Sequence, residues 1–283
     1  MFAASLCVSL LAVGAEVSLF AQRGAAAGPP QAAPAAPRTP RSIAPIDLTG
    51  TWVSVVSEDW RWRMQTPPKG DYASLPLNPA GRKAADSWDY AEAQTPENAC
   101  KPFGVAGLIR MPGRMRVSWQ DDATLKVEFD AGTQTRLLYF DGRPAAGERS
   151  WQGHSLAAWE VAGRQIDVDR NGIPVAPAAG GRGAPPPIGG SLKVRISNLR
   201  AAYLRKNGVP YSDSAAITQD IDRLSYPNGD VFLLVRTTVE DPVYLQEPFY
   251  TSTEFKREPN DAKFAPTPCA IDPPVVRPVP VRQ

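Results

Sequence analysis

Histidine is nearly missing from this sequence. His154 stands alone among 283 residues, which excludes histidine-cluster metal sites and any mechanism built on two imidazoles. Neither sign of charge dominates. Lys and Arg number 31 against 29 Asp and Glu, a net +2, and no run of like charge marks a face that tracks phosphates, so no nucleic-acid partner is expected. The chain lacks a G-x-S-x-G elbow, an H-E-x-x-H pair, a Walker loop, a dinucleotide fingerprint and a C-x-x-C pair, and no cofactor or metal is expected. The nearest approach to a metal motif is Asp167-Val168-Asp169-Arg170-Asn171-Gly172, the first half of a calcium loop. Its twelfth position is Ala178 where a bidentate Glu is required, and the same residues read as a hairpin tip after Ile166 and Val168.

Proline, by contrast, is abundant and unevenly placed. Of 30 prolines, six lie in 29–45, five in 174–187 and six in 266–280, so 17 occupy three short tracts. The rest of the chain is ordinary in proline, and with 43% apolar residues overall it can bury a core, which excludes a disordered chain. The run from Phe2 to Ala21 is almost wholly apolar and reads as a secretory signal over 1–22. Glu16 within it would cost an uncleaved spanning helix about 2.5–3.5 kcal/mol, so no stable membrane span is expected after cleavage. A Pro/Ala-rich linker over 23–46 follows. Then come a folded body over 47–269, interrupted by a Pro/Gly-rich loop at 172–190, and a Pro-rich tail over 270–283. Cys7 leaves with the signal. Cys100 and Cys269 remain, and an oxidising compartment, periplasmic or extracellular, joins them as a disulfide.

Within the body the hydrophobic period is two. Met115, Val117 and Trp119 alternate with Arg114, Arg116 and Ser118, and Leu125, Val127 and Phe129 with Thr124, Lys126 and Glu128. The polar Gln120-Asp121-Asp122-Ala123 between them makes a hairpin. Thr135, Leu137 and Tyr139 set against Gln134 and Arg136 form the next strand, and similar runs recur at 192–196, 217–221, 231–239 and 249–255. Pro227-Asn228-Gly229-Asp230 joins two of these, since Asn-Gly accepts positive φ. With 50–56 at the start, eight to ten strands are expected, with helices over 80–92, opened by Asn78 and Pro79, and over 198–206. Alternation in nearly every strand predicts an all-β, antiparallel barrel or sandwich.

Three clusters are candidates for chemistry. In Trp60-Arg61-Trp62-Arg63-Met64, after the first strand, alternation places Trp60, Trp62 and Met64 on one face and Arg61 and Arg63 on the other, which is either core tryptophan under solvated arginine or an aromatic cavity wall whose arginines reach an anionic group. Trp151-Gln152-Gly153-His154-Ser155, continuing to Trp159-Glu160, offers His154 as a general acid or base, or as a structural imidazole on a strand edge. Asp220 and Asp222, facing Arg236 across a hairpin, and Asp241 after the longest apolar strand, are fold-specifying or catalytic carboxylates. Tyr203 and Tyr211 add hydroxyls on a loop. Trp119, Arg136, Trp151 and Trp159 complete the candidate ligand contacts.

These residues carry a resemblance. Leu48-Thr49-Gly50-Thr51-Trp52 resembles the G-x-W opening of lipocalin-type barrels. As a set, Cys100, Asp141-Gly142-Arg143, Gly153-His154-Ser155, Gly208-Val209-Pro210-Tyr211-Ser212, Asp241-Pro242-Val243-Tyr244-Leu245 and Cys269 are similar to a broad group of secreted bacterial proteins of largely unassigned function. The chain departs from that group in its Ala/Gly/Pro-rich stretch between Trp159 and Gly190. The resemblance implies a lipocalin-like (calycin-type) barrel with an interior cavity and supplies no catalytic residues. The expectation is a secreted barrel of about eight to ten strands binding a small apolar or aromatic molecule in an aromatic-lined cavity. The alternative is a cofactor-free lyase, hydratase or isomerase with His154 as general base and Asp222 or Asp241 as its partner. A third reading is a cell-envelope scaffold without a cavity. The sequence leaves the oligomeric state open.

Overall fold

The structure, a computed structural model, describes residues 38–161 and 189–276. The signal, linker residues 23–37, the run Asp167 to Gly172, loop residues 172–188 and tail residues 277–283 lie outside the described residues. Eleven strands follow in order: β1 (Gly50–Val55), β2 (Arg114–Trp119), β3 (Thr124–Phe129), β4 (Gln134–Tyr139), β5 (His154–Val161), β6 (Gly190–Ser197), β7 (Ala202–Tyr203), β8 (Pro210–Tyr211), β9 (Ala216–Ser225), β10 (Val231–Glu240) and β11 (Phe249–Arg257). Nine of them close into a barrel, ordered β1, β11, β10, β9, β6, β5, β4, β3, β2 and back to β1, while β7 and β8 pair separately.

The hairpins form where turn chemistry allows. Asp121 accepts the Ala123 N–H at 2.8 Å between β2 and β3, and Gly229 takes φ +87° between β9 and β10. The expected all-antiparallel barrel is corrected at one place: β4 and β5 run parallel. A closed ring of nine strands cannot alternate direction all the way round, so one neighbouring pair must be parallel. The connection over 140–153 carries the chain back to the starting end of β4, as a parallel neighbour requires.

Inward side chains of the strands fill the barrel. Trp52, Leu125, Val127, Leu138, Leu192, Val194, Ile217, Leu233 and Val235 are all buried, and the remaining interior cavity is about 30 Å³. That is room for a water or two, too small for the ligand expected there, as fits a barrel whose radius matches its own side chains. One mouth is covered by part of the supposed linker. The Trp159 indole donates to the Pro40 carbonyl at 2.9 Å, and the Arg41 N–H to Asp122 O at 3.1 Å. Trp119 and Phe140 pack on Trp159, with ring centroids 6.4 and 5.2 Å away.

The helices are shorter than the sequence predicts. The expected helix over 80–92 splits into two, Pro79–Asp86 and Tyr90–Ala93, capped by Asn78 and Asp89 side chains that accept from Gly81 and Glu92 N–H groups. No helix forms over 198–206, because its backbone bonds go elsewhere: Arg200 N–H to Ser150 O and Leu204 N–H to Val209 O. The Trp60 to Met64 run is one helical turn, Trp60–Arg63, and not a strand. At 100° per residue its sides differ from the expected alternation. Trp60 is 60% exposed, while Arg63 is buried and donates to Arg110 O, Glu58 and Ser54.

The Cys100–Cys269 disulfide forms, with Cα atoms 5.1 Å apart. The fold does not end there. Ile271 is buried, its carbonyl accepts from the Tyr90 hydroxyl, and the Val275 N–H donates to Thr66 O, so 264–275 is a strap rather than a tail. The loop joining β7 to β8 is buried throughout, with Arg205, Lys206 and Asn207 inside. Burial pushes the Lys206 ammonium down to about 8, opposed by Asp272 on the strap. A folded state that resists protonation is less stable below that pH than above it, because the unfolded chain holds its proton up to about 10. Stability to urea is therefore expected to rise between pH 8 and 10 and to lose this slope in Lys206→Met. A wild-type midpoint that stays flat from pH 7 to 9.5 contradicts it.

Candidate functional site

The parallel seam is the shortest ladder in the barrel wall. Only Leu138 with Ser155 and Tyr139 with Leu156 pair across it. Residues 134–137 of β4 precede the first of these pairs, and beside them the wall opens into a cleft of about 340 Å³. Its far side is the turn into β5. Gly153 sits there at φ +62°, where an added Cβ would lie 2.4 Å from Ser197 O. Glycine alone permits the turn that delivers His154 to the strand.

The floor of the cleft is polar and buried. Arg136 is 5% exposed and reaches both the cleft and the small interior cavity. Its Nη1 donates to Gln219 Oε1 at 2.9 Å and its Nη2 to Ser155 Oγ at 3.2 Å, while Gln219 Nε2 donates onward to Thr237 at 3.3 Å. Burial lowers the guanidinium pKa to about 10, with the Tyr211 hydroxyl slightly opposing, so the group is a cation at neutral pH. Among the described residues no carboxylate pairs with it. Beside it, Gln152 donates from Nε2 to Phe103 O at 2.7 Å and to Gln134 Oε1 at 3.1 Å, which fixes the amide orientation. Among the described residues the buried Arg136 Nε and Gln152 Oε1 have no hydrogen-bond partner.

Aromatic rings wall the upper part. Trp151 carries the Arg200 guanidinium 4.0 Å from its ring centroid. The His154 ring stacks on Tyr139 at 5.1 Å and 22°, and Arg143 covers the same Tyr139 at 4.5 Å. His154 Nε2 donates to the Arg143 carbonyl at 2.9 Å, which places a proton on that nitrogen and fixes the ring against Tyr139. Exposed Glu148 stands at the rim.

Of the residues singled out from sequence, the structure gathers His154, Arg136 and Trp151 here. The others are elsewhere. Asp222 lies on the outer face of β9 and accepts from Arg236 at 2.9 Å; the predicted pairing forms, but outside the barrel. Asp241 is buried and accepts from Ser212 N at 2.6 Å, Ser212 Oγ at 2.7 Å and Val243 N at 2.9 Å. Both carboxylates are engaged away from His154, whose expected carboxylate partner is thus corrected to a backbone carbonyl and a tyrosine ring. Trp62 is covered by the guanidinium groups of Arg61 and Arg205, at 4.2 and 4.1 Å, and Arg61 pairs with Asp71 at 3.3 Å. Arg63 is bonded to Glu58, Ser54 and the Arg110 carbonyl, Trp60 faces solvent, and Trp119 and Trp159 close a barrel mouth. Tyr203 has Lys101 over its ring, and Tyr211 is wholly buried against Gly104, its hydroxyl pushed up by desolvation.

Gln152 and Gln219 went unnoticed in the sequence. Gln219 had a signal: it holds an inward position between Ile217 and Ile221, where a polar residue in an apolar phase needs a partner. Gln152 had none beyond its neighbours. Among the described residues no three His, Cys, Asp or Glu side chains converge on a metal position, and no helix is long and apolar enough to cross a membrane. Comparisons of the chain with protein families, with curated proteins and with solved structures found no match.

Proposed function

We propose that this protein is an exported, lipocalin-like barrel that binds one small, largely aromatic molecule in the seam cleft between β4 and β5. The observation that carries the reading is the contrast of volumes: about 340 Å³ in the cleft, against about 30 Å³ inside the barrel. A cleft of that size is at the lower end of small-molecule sites. Trp151 and the His154–Tyr139 stack give it flat apolar walls. The buried first-strand Trp52 after Gly50 supports the lipocalin-like part of the reading, and the disulfide together with the apolar amino-terminal run supports export.

Tryptophan fluorescence tests it. Titration with a panel of one- and two-ring compounds, neutral and acidic, is expected to change the emission, and Trp151→Phe is expected to abolish the change while Trp159→Phe retains it. A flat response across the panel, or a response that survives Trp151→Phe and is lost in Trp159→Phe, overturns the assignment.

A further inference from the structure

We infer that the molecule taken by the seam cleft is a small organic carboxylate, its anionic end against Arg136 and a hydrogen-bond donor toward Gln152. This rests on the binding reading above and names the chemical class. The basis is a mismatch at the cleft floor. A guanidinium offers five N–H donors; in Arg136 the bonds go to Gln219 and Ser155, both neutral, and the buried Nε has no acceptor among the described residues. A cation withdrawn from water is costly unless an anion compensates it. Apolar neighbours such as Val127 and Leu138 show that the same layer of the barrel accepts aliphatic side chains, so the position does not need a charge for packing.

A carboxylate supplies what is missing. It neutralises the cation and accepts from Nε, and its two coplanar oxygens match the guanidinium edge. Gln152 adds a second requirement. Its Nε2 is committed to Phe103 and Gln134, so its bare Oε1 can only accept, and a ligand hydroxyl or amine hydrogen fits it. Glu148 at the rim repels an anion there and favours the orientation with the carboxylate at the floor. An inorganic anion would answer Arg136 but neither Gln152 nor the aromatic walls.

Calorimetric titration of the disulfide-bonded protein with 4-hydroxybenzoate and phenyllactate, with the amide of each, and with inorganic phosphate tests the inference. The acids are expected to bind about 10-fold or more tightly than their amides, the effect of one charge-assisted bond. Arg136→Met is expected to erase that preference, and Gln152→Leu to weaken the hydroxy acids. Amides that bind as well as the acids overturn the carboxylate assignment and leave the binding reading standing. Phosphate that binds more tightly than either acid reassigns the floor to inorganic anions. Failure of every compound, neutral ones included, defeats both. Should Arg136→Met not fold, the comparison of acid with amide on the unaltered protein decides alone.

Discussion

Reducing the Cys100–Cys269 disulfide is expected to lower the melting temperature by about 10–20 °C. The bond closes a loop of 169 residues, and in the chain-entropy account a closure of that length restrains the unfolded chain by about 5 kcal/mol. For a body of this size each kcal/mol moves the midpoint by about 2–4 °C. The strap adds to the effect, since Cys269 anchors the segment whose backbone bonds to Asp130 and Thr66 cover one end of the barrel. Gln134 donates from Nε2 to Cys269 Sγ at 3.5 Å and accepts from Gln152 Nε2 at its Oε1, so the strap also buttresses the cleft floor. Calorimetry with and without reductant, with thiol counting to verify reduction, checks this. An unchanged melting temperature in the verified reduced protein contradicts it.

Asp241→Ala is expected to cost about 3 kcal/mol or more, and to leave binding in the cleft unchanged. The carboxylate accepts three hydrogen bonds, two of them from buried Ser212, and bonds to a charged group are worth about 1.5–3 kcal/mol each. Its removal strands the Ser212 N–H in a buried segment and frees the β8 end from the end of β10. Urea unfolding measures the loss, and titration of the folded fraction measures affinity. Lost binding with unaltered stability would restore Asp241 to the site and refute its structural role.

Arg136 marks the boundary between what local pattern conveys and what it does not. The alternation in 134–139 is real, and read alone it puts Thr135, Leu137 and Tyr139 on the apolar face. In the barrel the opposite set points inward, because register with β3 places Arg136 opposite Val127 and Leu138 opposite Leu125. A strand whose two faces are both mixed is assigned by its neighbours, since a shift of one residue exchanges every side chain. The Trp60 run failed for a related reason. Five residues satisfy a period of two and a helical turn about equally, and the buried partners of Arg63 decided between them.

The sequence by itself determined the β class, the positions of most strands, the Asn228-Gly229 turn and the disulfide. Each follows from interactions within a few residues, or, for the cysteines, from elimination. The tertiary structure alone decided the closure, the face of β4 and the place of the site. Nine strands in a ring force one parallel pair, a parallel pair needs a returning connection, and at that seam the ladder is two residue pairs long. The cleft opens there, and His154, Arg136 and Trp151 meet in it because the ring must close, which no run of residues expresses on its own.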